Sequence, residues 1–123
     1  MVEKGDRMDT KVDLIKLKEE LKELETEKYS IHVESVKLKN FESELFHFLE
    51  EKDQLFHKLF EFWKHGEMKN YIDQIYSEIK STEKNVLSNL EEKKELIKKQ
   101  RTELEFREEE LRYEILKLED FKE

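Results

Sequence analysis

Proline and cysteine are absent from this 123-residue chain, and glycine occurs only at positions 5 and 66. Without proline, no ring blocks helix formation, and two glycines leave almost no positions free to turn left-handed. Without cysteine there is no disulfide framework and no thiolate chemistry, a usage that fits the cytosol and is compatible with later export. No apolar run approaches the roughly 18 residues of a membrane span. The first 13 residues, MVEKGDRMDTKVD, lack the apolar stretch of a cleavable signal peptide. Unopposed cations are scarce too. The net charge is -8, and Lys93-Lys94 and Lys98-Lys99 are offset by neighbouring glutamates. That balance disfavours nucleic acid and anionic membrane as partners.

Catalytic signatures are equally sparse. His32, His47, His57 and His65 contain no i, i+4 pair and no HExxH, so no metal site is expected. There is no glycine-rich phosphate loop, and Ser77, Ser81 and Ser88 have no nucleophile-elbow context. Glutamates abound, but a thin helical molecule offers no concave pocket in which two could act as acid and base. The expectation is a protein that is not an enzyme, with no catalytic residue, cofactor or metal.

What the chain does have is charge and helical period. It is 46% charged and 36% hydrophobic, too polar for a thick core, yet its apolar residues recur at three and four. With Leu14 as a heptad a position, Leu17, Leu24, Ile31, Leu38, Leu45 and Leu59 fall at d, with Lys52 the exception. The a positions are mixed: Lys28, Ser35 and Glu42 are polar, whereas Leu49, Phe56 and Trp63 are not. A second row, Leu90, Ile97, Leu104, Leu111 and Leu118, repeats every seven residues, and its companions Lys93, Gln100, Arg107 and Glu114 are polar. Upstream, Ile72, Ile75, Ile79 and Val86 continue an apolar face.

Between the rows lies FEFWKHGEMKN (60–70), which holds the only tryptophan, Trp63, and Gly66. Lys64 and His65 suit the negative pole of a helix end, Gly66 suits a left-handed cap, and Asn70 can open the next helix. The spacing predicts a flexible segment over 1–11, a helix over 12–64, a bend over 65–69 marked by Trp63 and Gly66, and a helix over 70–121. Arms of roughly 50 to 55 residues, about 75 to 80 Å each, can fold back on one another. The predicted fold is all-α: a long antiparallel two-helix hairpin, coiled-coil-like, within a larger helical bundle that includes a partner chain. The alternative is one continuous helix in a parallel dimer. A lone glycine costs a helix only about 1 kcal/mol, but the change in seam character across the bend argues against it.

Near the bend the chain carries more apolar surface than a two-helix seam can use. Residues 41–63 read FESELFHFLEEKDQLFHKLFEFW and contain six of the eight phenylalanines. Positions flanking the seam, Phe41, Phe46, Phe48, Leu55, Phe60 and Phe62, are apolar in addition to the seam itself. A face this wide wants further helices. The residues expected to bind a partner are Phe41, Leu45, Phe48, Leu49, Phe56, Leu59, Phe60, Trp63 and Tyr71.

A Trp and Gly in the bend of a two-helix hairpin resembles the WXG-type small proteins of Gram-positive type VII secretion. The charged stretch NLEEKKELIKKQRTELEFREEELRYEILKLE (89–119) that follows is similar to the LXG-associated α-helical targeting factors, the Lap proteins. The resemblance covers about residues 40–119. The motif here is Trp63-Lys64-His65-Gly66, with two residues between Trp and Gly where the family name implies one. The resemblance implies a targeting factor or chaperone that binds the helical LXG domain of a secreted toxin, with or without a second small helical protein, and promotes its export. It also implies a cytoplasmic protein, exported if at all without a cleavable signal peptide. An aromatic-xxx-acid export signal can be read at Phe106 to Glu110. The rival expectation is a self-associating coiled-coil scaffold or adaptor.

Overall fold

The computed structural model describes residues 2–122, and the side chains of 10–120. Two helices account for nearly all of it: α1, Val2–Phe62, and α2, Glu67–Lys122, packed together as a hairpin with no strand among the described residues. The chain divides into a terminal unit, Met1–Glu34 with Ile97–Glu123, and a bend unit, Ser35–Leu96. Each unit pairs a stretch of α1 with a stretch of α2.

Three boundaries differ from the sequence expectation. The segment expected to be flexible over 1–11 is helical from Val2 onward, Met1 lying outside the described residues. Its residues include no proline, and one glycine costs a helix only about 1 kcal/mol. The bend is Trp63–Gly66 rather than 65–69. α1 closes with the Trp63 amide donating to the Leu59 carbonyl at 2.8 Å, and α2 opens with the Asn70 amide donating to the Gly66 carbonyl at 3.3 Å. Asn70 therefore lies inside the first turn of α2 instead of capping it. Lys64 and His65 fall beyond α1, whose last turn has no basic residue. Gly66 does take the left-handed conformation, with φ +91°.

In the terminal unit the seam is built on Leu14 and Leu24 of α1 and Ile97, Leu111 and Ile115 of α2. In the bend unit it is built on Leu49 and Phe56 of α1 and Ile72 and Leu90 of α2. The α2 row at 90, 97, 104 and 111 is therefore an inward one. Its companions lie mostly four residues on rather than three: Lys94, Glu108 and Ile115 turn inward, while Lys93, Arg107 and Glu114 are exposed.

The polar residues that interrupt the seam find opposite charges across it. Lys28 meets Glu108 at 2.6 Å, Glu42 meets Lys94, and Lys52 meets Glu83. Each pair joins α1 to α2 where a slip of register would leave a half-buried charge unpaired. Exposed pairs line the edges of the terminal unit: Lys18 with Glu119, Glu20 with Arg107, and Glu25 with Arg112. Such pairs stabilise little, but the seam pairs specify which residues face each other.

Candidate functional site

In α1 every residue just before an a position belongs to one heptad row, g. Over 13–34 that row is Asp13, Glu20, Glu27 and Glu34; over 41–62 it is Phe41, Phe48, Leu55 and Phe62. The upper half is an ordinary solvated acidic edge. The lower half is a stripe of large apolar side chains, each between 49% and 78% exposed. At 1.5 Å per residue the stripe runs about 32 Å. Half-buried Leu45 and Leu59 lie beside it, so 41, 45, 48, 55, 59 and 62 carry the four-three spacing of a coiled-coil seam. The missing rung is Lys52.

The exposed g row is not the seam that packs α2; half-buried Leu45 and Leu59, in one row with Lys52, border both. Successive residues of a helix are about 100° apart, so Phe48 lies roughly a quarter turn round α1 from buried Leu49. α1 thus carries two apolar faces in the bend unit, one covered by α2 and one open.

The residues expected to bind a partner divide accordingly. Phe41, Phe48, Trp63 and Tyr71 are exposed. Leu45 and Leu59 are half-buried. Leu49 and Phe56 are buried core residues of the bend unit and closed to any partner, Phe56 with its ring 5.0 Å from that of Tyr76. Phe60 belongs to an internal cluster: its ring centroid is 6.3 Å from Phe56 and 5.7 Å, edge-on, from Tyr76. Leu55 and Phe62, noted in the sequence only as apolar flanks of the seam and not among the residues expected to bind a partner, complete the open face, whereas exposed Phe46 lies on the opposite flank of the seam, in the row of Phe60. The sequence signal that marks the first two is the g row, read as a row of its own. At the bend, Phe62 and Trp63 stack edge-on at 5.3 Å.

Lys52 explains the gap in the stripe. It is 5% exposed and directs its ammonium into the hairpin, to Glu83 and, at 3.1 Å, to Asp53. Burial pushes its pKa down, but hydrogen bonds to the two carboxylates outweigh that and leave it raised. Asp53 is held below its usual range, first by the Lys52 hydrogen bond. The Tyr76 hydroxyl donates to Asp53 at 3.4 Å, and the Lys52 and Lys80 ammoniums lie 5.6 and 5.5 Å from the Tyr76 ring centre. These groups form a tie between the helices rather than a reactive centre.

Elsewhere the polar side chains pair locally. His47 lies 3.1 Å from Glu51, and His57 lies 3.1 Å from Glu61. Phe106 is exposed, and Glu110, four residues on, accepts from Arg107 at 3.1 Å. Among the described residues no three His, Cys, Asp or Glu side chains are placed to hold a metal ion, and no helix is long and apolar enough to cross a membrane.

The chain belongs to the family DUF3958, described as a protein of unknown function, which matches residues 10–118. No curated protein and no solved structure matches it.

Proposed function

We propose, from a family membership that establishes kinship but not activity, that this chain is a non-enzymatic helical binding protein whose open α1 face covers a helix of another protein. The observation that carries this reading is the exposed row Phe41, Phe48, Leu55 and Phe62. Fully burying one such side chain is worth roughly 1.5–3 kcal/mol, and an exposed stripe of four marks an interaction surface rather than ordinary scatter.

The partner class follows from the resemblance to LXG-associated targeting factors. The chain binds the helical N-terminal domain of an LXG-type toxin in the cytoplasm and accompanies it to the secretion machinery, alone or with a second small helical protein. No cofactor or metal takes part. A four-three stripe fits that role because a helix is the partner shape it matches.

The test is to co-express the chain with the helical N-terminal domain of an LXG-type toxin encoded beside it. A stable complex is expected, and Phe48→Ser with Phe62→Ser should abolish it while leaving the helical signal unchanged. A toxin domain that ignores the wild-type chain would overturn the targeting role.

A further inference from the structure

We infer that the same stripe pairs with a second copy of this chain, antiparallel, and that this pair is the resting form from which a partner must release it. The inference rests on the binding reading only in sharing its face. A two-fold interface requires a patch complementary to itself after reversal, and this stripe meets that requirement about a point near residues 51 and 52. Reversed on itself, Phe41 falls against Phe62 of the other copy, Leu45 against Leu59, and Phe48 against Leu55.

The flanking charges reverse in the same way. The row beside the stripe on its solvent side holds Glu44, Glu51 and Lys58. In an antiparallel pair Glu44 lies beside Lys58 of the other copy, and the symmetry makes that contact twice. In a parallel pair this row would lie on opposite sides of the interface in the two copies, and Glu44 would not reach Lys58. Glu44 and Lys58 are both exposed, and neither takes part in an ion pair among the described residues. Glu51 meets its own copy near the axis, but it is exposed and lies 3.1 Å from His47, so the repulsion is weak at the surface. The quarter-turn offset between the stripe and the α2 seam is that of neighbouring helices in a four-helix bundle.

The experiment is a charge swap read by sedimentation equilibrium on the pure protein, with no partner present. Glu44→Lys or Lys58→Glu alone turns two attractions into two repulsions and should weaken the dimer roughly tenfold. The double variant restores both contacts between copies and should return to within about threefold of wild type. A wild-type chain that stays monomeric, or a double variant as weak as either single one, would overturn the inference. Rescue by the double swap is specific to self-pairing, because a different partner keeps its own charges and would be repelled by both changes. Failure of the toxin-binding assay leaves this result untouched, and the reverse holds as well.

Discussion

At the bend, Gly66 is required by its backbone. An added Cβ would meet nothing within 4 Å, so space is not the constraint; the constraint is φ +91°. Gly66→Ala should therefore cost about 1–2 kcal/mol, seen as a lower urea midpoint with an unchanged slope. Lys52 is the opposite case, a residue held by its partners. Lys52→Ala would leave the Glu83 carboxylate half-buried without its cation and should cost about 3 kcal/mol. Lys52→Met combined with Glu83→Leu removes both charges and should recover most of that loss, as thermal unfolding would show. The pH dependence follows from the same ties. Glu108 is held below its ordinary 4.5 by its Lys28 hydrogen bond, with burial opposing and Arg112 assisting. Asp53 is lowered from 3.8 by Lys52. Carboxylates lowered in this way stabilise the fold fully above those values and lose the contribution as pH falls toward the folded pKa. Lys52 and Lys94 are raised above 10.5, so their contribution is complete below that value and fades as pH climbs through the raised one. The melting temperature should hold a plateau through neutrality and fall on both sides, as pH drops below the ordinary carboxylate range and as it climbs above the ordinary lysine range.

At the scale of the elements, the two long helices were legible because nothing in the chain stops them, and Gly66 marked the one interruption. The start of α1 was less so. A charged, glycine-containing first segment looks flexible when judged by its lack of apolar residues, whereas helix formation depends on propensity and continuity. The inward side of α2 was misassigned for a related reason. Lys93, Arg107 and Glu114 are as polar as Lys94 and Glu108, so polarity alone cannot say which companion turns inward. Charge sign across the hairpin can. Lys28, Glu42 and Lys52 of α1 face Glu108, Lys94 and Glu83 of α2, and folding the two arms together antiparallel brings all three opposite pairs into line. A reversal at one rung tests the idea. Lys28→Glu should destabilise the terminal unit by about 1–2 kcal/mol, a value held down by partial exposure, and Glu108→Lys added to it should restore most of the loss. The topology has a separate check. Leu17 and Leu118 line one open hollow of the terminal unit, so cysteines at both positions should cross-link within a single chain under dilute oxidation. Cross-links only between chains would mean that the arms run on as a rod.

For the molecule as a whole, the aromatic residues near the bend form two populations that composition could not separate. A count of phenylalanines over 41–63 shows a surplus of apolar surface but not its direction, so Leu49, Phe56 and Phe60 were grouped with Phe41 and Phe48. Burial separates them: Phe56 is enclosed, with its ring 5.0 Å from Tyr76, while Phe48 is exposed. The same substitution should therefore give opposite results at the two sites. Phe56→Ala empties a packed position and should cost about 3–5 kcal/mol, lowering the melting temperature whether or not a partner is bound. Phe48→Ala removes a side chain that the isolated hairpin scarcely uses, and its stability should change by no more than about 0.5 kcal/mol. Binding should show the reverse pattern, because a residue at the centre of an open stripe becomes an anchor once it is covered, worth about 2 kcal/mol or more. Circular dichroism melts beside a binding titration would read both quantities on the same proteins. Should Phe48→Ala unfold the hairpin as Phe56→Ala does, the stripe would be part of the chain's own core. The open face on which both the partner and the second copy depend would then not exist.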